Sequence, residues 1–313
     1  MRTLQKFGLL FTLTVLSGVP ASAQSIHAGS ASGSYTNDFC PQVQATLKTQ
    51  YFEHTCVTSQ GTGDNVEKVL SNPVDVGLGQ LDIVAAQALE HPDKLTIVNP
   101  KLGLECLYAV TTDQSVTSLT RLAARMPVAL PPQKSGSTAT FEYLQSLDAG
   151  LAKLRKVTYH QSALEAVQAV IKGEAALAFF VQFPNTENTV FETINDAGLK
   201  FIPVINREIL RREVVGLSVY EPQEVVVTPA GLLGKLTGKE PTKIDTTCTP
   251  MVLFTGSPNQ LPEGSTERED QDEVIKLLGK VQRPDNKTWK DTFANAIAIG
   301  KDKVESLIEK YSH

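Results

Sequence analysis

Four short segments of the chain concentrate the residue types that hold small polar molecules: 29–35, 59–65, 133–138 and 182–185. Glycine lets backbone N–H groups come close to a ligand, while hydroxyls and side-chain amides donate or accept as required. Where such a loop runs into a helix, the unpaired N–H groups of the first turn and about half a positive charge favour an anion. The candidate ligand contacts are Gly29, Ser30, Ser32, Gly33, Ser34 and Tyr35 in the first segment and Thr62 and Gly63 in the second. Lys134, Ser135, Gly136, Ser137 and Thr138 follow in the third, and Gln182 and Asn185 in the fourth. Tyr35 supplies an aromatic ring, and Lys134 the one obvious cation, a possible counter-charge. Turns and helix N-caps use the same residue types; the recurrence of matching loops in two halves of the chain favours a ligand.

Catalytic readings find less support. A nucleophile elbow needs Gly-x-Ser-x-Gly, and Gly29-Ser30-Ala31-Ser32-Gly33 has Ala31 at the serine position. Gly61-x-Gly63 lacks the third glycine of a dinucleotide fingerprint because Val66 stands there. No Walker phosphate loop occurs. Asp38, Asp64 and Asp82 fall near the same loops, but a helix cap explains Asp64 and a strand end explains Asp82. His160 follows a strand without an acid partner. The chain therefore reads as a binding protein with no cofactor, and an exported serine hydrolase is the rival.

The elements that position these loops alternate between strand and helix. The strand at 25–28 leads through the first loop to a helix over 39–50, with Pro41 in its first turn. A strand at 56–58 leads through the second loop to a short helix with capping-box spacing from Asp64 to Glu67, and a strand follows at 74–78. Extended segments are expected at 95–98 and 104–110. A helix from Ser118 leads to the strand at 127–130, and the third loop enters a helix over 139–147. A strand at 157–159 precedes a helix capped by Ser162 and Glu165, which puts Leu164, Val167, Val170 and Ile171 on one face. Gly173 ends it before a buried strand at 175–181. Residues 25–82 and 127–185 thus repeat one plan. This alternation implies mostly parallel sheets with helices on both faces, an α/β fold in which ligands gather at the carboxyl ends of strands. Longer extended runs at 214–219 and 224–227 would carry the chain back, followed by a polar loop at 256–268 and amphipathic helices at 270–282 and 289–311.

Residues 1–23 have the Arg2/Lys6 n-region, apolar middle and Ala21-Ser22-Ala23 ending of a secretory signal, with cleavage expected after Ala23. The remaining length suits two lobes. The net charge of −5 becomes more negative once Arg2 and Lys6 are removed, and no basic run remains, which argues against nucleic acid as partner. The four cysteines permit three pairings in an exported protein. The expected one is a local Cys40–Cys56 bridge with Cys106–Cys248 as the long-range staple. With no CxxC and no HxxxH among the five histidines, no metal site is expected.

The motifs together resemble the TAXI group of TRAP-transporter solute receptors. Residues 28–35 resemble its opening glycine-rich, tyrosine-ending loop. Residues 59–65 and 73–82, the latter carrying Gln80 and Asp82, resemble its second loop and following strand. Residues 134–138 resemble its Ser-Gly-Thr loop, and 172–185 its glycine turn, apolar strand and proline-containing ligand loop. The chain departs from the group at Ser30, Thr36 and Gln182-Phe183, in its four cysteines and in the 256–268 loop. The resemblance implies a two-lobed type II periplasmic-binding-protein fold, each lobe a mixed, mostly parallel sheet flanked by helices. It adds Gln80 to the ligand contacts. Lobe one is expected at 24–110 plus 222–313 and lobe two at 111–221. The implied protein is a periplasmic monomer that captures a small anionic or zwitterionic solute, carboxylate or amino-acid-like, for an integral-membrane transporter subunit. A receptor serving a sensor protein is the alternative.

Overall fold

The computed structural model describes residues 24–31, 33–119, 122, 124–205, 207–214, 216–230 and 240–282. The expected signal peptide, Ser32 of the first loop, part of the helix expected after Ser118 and the amphipathic stretch at 289–311 lie outside them.

Strands β1 (Gln24–His27), β2 (His54–Val57) and β3 (Val76–Gln80) run parallel with β1 in the middle. They are joined by α1 (Cys40–Lys48) and α2 (Thr62–Ser71), and α3 (Leu81–Glu90) follows β3. β4 (Leu95–Thr111) then leads to the second set, β5 (Val128–Leu130), β6 (Val157–Tyr159) and β7 (Leu177–Gln182), parallel with β5 in the middle. Their helices are α4 (Gly136–Leu147), α5 (Ala163–Ile171) and α6 (Thr189–Asp196). Next come β8 (Lys200–Ile202), the four-residue α7 (Arg207–Leu210), the hairpin β9 (Glu213–Val214) and β10 (Leu217–Ser218), and β11 (Glu221–Thr228). β12 (Thr242–Gly256) and α8 (Thr266–Leu278) complete the described chain.

Local chemistry accounts for most helix starts. Ser135 Oγ accepts the Thr138 N–H at 3.2 Å to begin α4, and Ser162 Oγ accepts the Glu165 N–H at 3.1 Å to begin α5. α2 differs from expectation, starting at Thr62 rather than at Asp64. Gly61 is the N-cap, with a φ of 119° that side-chain-bearing residues avoid. Asp64 instead sits in the first turn, where it accepts the Gln60 N–H at 3.0 Å and pairs with Lys68 at 2.8 Å.

The two repeated strand sets, β1–β3 and β5–β7 with their helices, called lobe one and lobe two, belong to one curled, ten-stranded mixed sheet ordered β2-β1-β3-β12-β4-β7-β5-β6, with β11 on β12 and β8 on β4. Each lobe repeats one order: three parallel strands, then an antiparallel neighbour, β12 beside β3 and β4 beside β7. The two extended segments expected at 95–98 and 104–110 are a single strand that serves both lobes. Its first part pairs with β12 and its last with β7 and β8. β11 carries Val225 and Val227 into the core of Ala166 and Phe191, so β11 packs with α5 and α6 of the second lobe.

Two disulfides pin this arrangement, Cys40–Cys56 and Cys106–Cys248, in the expected pairing. The second lies where the lobes join: Cys106 faces Cys248 on β12 and Gln182 on β7. Apolar packing also crosses the junction. Val66, Leu81 and Val84 of lobe one share a core with Phe141, Leu144 and Phe179 of lobe two. Phe183 stacks on Phe39 at 5.5 Å within the core of lobe one. Burying each such large side chain is worth about 1.5–3 kcal/mol.

Candidate functional site

The second and third predicted loops meet across the lobe junction. A Cβ added at Gly61 would lie 3.1 Å from the Gly136 nitrogen, and one at Gly63 would lie 3.1 Å from the Lys134 carbonyl oxygen. Glycine eases that approach, which sets the N-terminal ends of α2 and α4 side by side. Gly136 abuts two more of the predicted residues, since a Cβ there would fall 2.2 Å from Gln80 Oε1 and 2.7 Å from Thr62 Oγ1.

Behind this contact lies a buried polar cluster. The Gln80 N–H donates to Thr62 Oγ1 at 3.3 Å, and Gln80 Oε1 accepts from the Thr140 hydroxyl at 3.3 Å. Thr140 also lies 2.7 Å from Asp82 Oδ2, which accepts the Tyr220 hydroxyl at 2.9 Å. Thr249 and the Ile83 N–H hold Asp82 Oδ1, at 3.4 and 2.9 Å. Tyr35 donates its phenol to Glu105, which the Gln80 side chain also contacts. Asp82 is fully buried and Glu105 nearly so. Register explains part of this convergence: Glu105 lies opposite Thr249 across β4 and β12, beside the Cys106–Cys248 bridge.

Both carboxyls are held above their ordinary range. Burial, opposed by hydrogen bonds from Thr140, Tyr220, Ile83 and Thr249, raises Asp82 to about 6. Burial, with the Asp82 charge adding to it, raises Glu105 to about 8. Burial and then the neighbouring Glu105 push the Tyr35 phenol well up. Among the described residues no lysine or arginine forms an ion pair with either acid. The cluster is a desolvated, acid-lined interior at the carboxyl end of β3 and the start of α3.

The remaining predicted residues are placed elsewhere. Lys134 turns outward and pairs with Glu67 at 2.6 Å, both side chains about half exposed, so its charge does not reach the two buried acids. The hydroxyls of Ser135, Ser137 and Thr138 are engaged locally. Ser135 caps α4, Ser137 accepts the Val181 N–H at 2.9 Å and Thr138 donates to the Pro131 carbonyl at 3.2 Å. The first loop folds on itself, with the Gly33 N–H on the Ser30 carbonyl at 2.9 Å and the Gly29 carbonyl accepting from the Ser59 N–H at 2.9 Å. Ser30 is exposed, and Ser34 and Gln182 are half-buried. Asn185 Oδ1 accepts the Glu187 N–H at 3.0 Å in a turn. Thr62, Gln80, Gly136 and Tyr35 are the predicted residues brought to the cluster. Glu105, Thr140, Tyr220 and Thr249 were not anticipated, and Asp82 was read as a strand-end residue.

No family model matches the chain, and no curated protein does. The solved structures similar to it include the GluR0 ligand-binding core in complex with L-glutamate, at 10% identity and TM-score 0.45 over 94% of this chain and 100% of that one. An ancestral arginine-binding protein bound to arginine is similar at 11% identity and TM-score 0.44, over 92% and 97% of the two chains. The Bordetella pertussis BvgS VFT2 domain is similar at 13% and 0.39, over 92% and 93%. Likeness at that level assigns neither a family nor a ligand to this chain.

Proposed function

We propose that the chain is an extracytoplasmic receptor that takes a small zwitterionic, amino-bearing solute between its two lobes. The observation that carries this is the pair Asp82 and Glu105 at the lobe junction, with no lysine or arginine paired to either among the described residues and groups of both lobes bonded to Asp82. A buried carboxylate without a positive partner is costly, and a solute ammonium would supply the missing charge. The adjoining starts of α2 and α4 would receive the carboxylate end. An amine at one end and a carboxylate at the other fit this polarity better than a simple anion.

Solute entry requires the lobes to part, which separates Asp82 from Thr140 and Tyr220, and binding then shifts the population toward closure. Export by residues 1–23 and delivery to a TRAP-type membrane subunit, or presentation to a sensor, complete the reading that the sequence resemblance supports. Mass spectrometry of solute released from the purified protein, with a thermal-shift panel, tests it. Amino-acid-like solutes are expected in both; a panel raised only by amine-free carboxylates would reject the zwitterion.

A further inference from the structure

A second surface lies at the far end of lobe two. β6 terminates the sheet path. Its ladder to β5 uses the Lys156 carbonyl, which accepts the Val128 N–H at 2.8 Å, and the His160 N–H, which donates to the Leu130 carbonyl at 2.9 Å. By the alternation of a parallel ladder, the N–H and C=O groups of Val157 and Tyr159 point away from the sheet, an open template for another strand.

Beside this edge, between β6 and α4, runs a groove of about 450 Å³ floored by Leu130, Phe141 and Leu154 and bordered by Arg155, Tyr159 and Glu142, whose carboxylate accepts from the Tyr159 hydroxyl at 3.5 Å. Tyr159 is 45% exposed, one of the large apolar side chains that remain on the surface. Lys153, Arg155 and Lys156 are exposed and form no ion pair among the described residues, on a chain whose net charge is −5. Lysines on an edge also discourage indiscriminate pairing. Here they stand beside a groove of ligand-sized volume with an apolar floor and a polar rim, which turns the same charges into a filter for sign.

We propose that this edge is a docking surface for an extended, acidic segment of a partner protein, which adds a strand beside β6. Side chains on one face of that strand would enter the groove over Leu154 and Phe141, and acidic ones on the other would meet Lys156. The main chain supplies the bonding, and charge selects the partner.

The probes are a fluorescein-labelled octapeptide alternating glutamate and valine, its lysine–valine counterpart, and phosphatidylglycerol vesicles. The acidic peptide is expected to bind the full-length protein and to slow hydrogen exchange at the Val157 and Tyr159 amides, while the basic peptide does neither. Arg155→Glu with Lys156→Glu should weaken binding about tenfold or more. Tyr159→Pro removes the outward N–H without taking a ladder bond, and should bind about fivefold more weakly than Tyr159→Ala. Equal binding of both peptides, no protection at Val157 and Tyr159, or indifference to the charge reversal would each overturn the proposal. Binding to the vesicles but not the acidic peptide would also overturn it in favour of a lipid surface. The exchange measurement needs no variant, so a Tyr159→Pro protein that failed to fold would leave the test intact.

Discussion

The Tyr220 hydroxyl donates a 2.9 Å hydrogen bond to Asp82, joining residues 138 positions apart across the lobe junction. Thr140, also from lobe two, bonds the same carboxylate oxygen at 2.7 Å. Asp82 is thus a bolt between the lobes, and its removal should strand the Tyr220 and Thr249 hydroxyls in a dry interior, while Thr140 keeps its bond to Gln80. Asp82→Ala is expected to lower unfolding free energy by about 3 kcal/mol or more, and Tyr220→Phe by about 1 kcal/mol. Urea denaturation of both variants checks this; equal, negligible losses would show that the junction is solvated.

The two buried acids set a pH dependence. Glu105 is raised to about 8 and Asp82 to about 6, both above their values in an unfolded chain. The native state therefore holds more protons than the unfolded state between about pH 4 and pH 8, and stability falls as pH rises through that window. A fall of several kcal/mol is expected, with the larger share, above about pH 6, removed by Glu105→Gln. Melting temperatures measured from pH 5 to pH 9 should decline for the wild type and flatten for the variant. A wild-type profile that rose with pH would contradict the assignment.

The sequence made the loop-to-helix junctions legible because glycines and hydroxyls at 59–65 and 133–138 are local signals. Their meeting at Gly61 and Gly136 was implied only by the repeat. Glu105 was hidden because a lone charge between Leu104 and Cys106 reads as the solvent side of a half-buried strand. β4 is covered on both faces by tertiary packing that no local pattern records. Thr249 is hidden for a related reason, since the polar start of β12 obscures a strand period, and Tyr220 sits in the short connection from β10 to β11, which carries no local signal of its own. Lys134 was overvalued because spacing does not say which way a loop side chain turns.

The disulfides should differ in weight. Cys106–Cys248 closes a separation of 142 residues and Cys40–Cys56 one of 16. In the chain-entropy account the losses are about 5 and about 3 kcal/mol. The paired variants Cys106→Ser with Cys248→Ser should therefore melt lower than Cys40→Ser with Cys56→Ser. The former should also disturb the site, because Glu105 and Thr249 flank the bridge. A reversed order in calorimetry would locate the main constraint in lobe one.

Gly136 tests the close approach of the lobes. A methyl at this position would fall 2.2 Å from Gln80 Oε1. Gly136→Ala should cost about 1–3 kcal/mol through overpacking and expand the molecule in small-angle scattering. Lys134→Ala, which breaks the exposed pair with Glu67, should leave the unfolding midpoint nearly unchanged. Comparable losses in the two would mean that the Lys134–Glu67 pair, not the glycine contact, holds the junction.

In the proposed function, Asp82 and Glu105 seat the ammonium of a zwitterionic solute. The direct measurement is titration calorimetry at pH 7 with α-amino acids, the corresponding amines lacking the carboxylate and the corresponding acids lacking the amine, on wild type and Glu105→Gln. Amino acids should bind most tightly and the amine-free acids not at all, with Glu105→Gln weakening the amino acids about tenfold or more. Tight binding of the amine-free acids, unchanged by Glu105→Gln, would contradict the account.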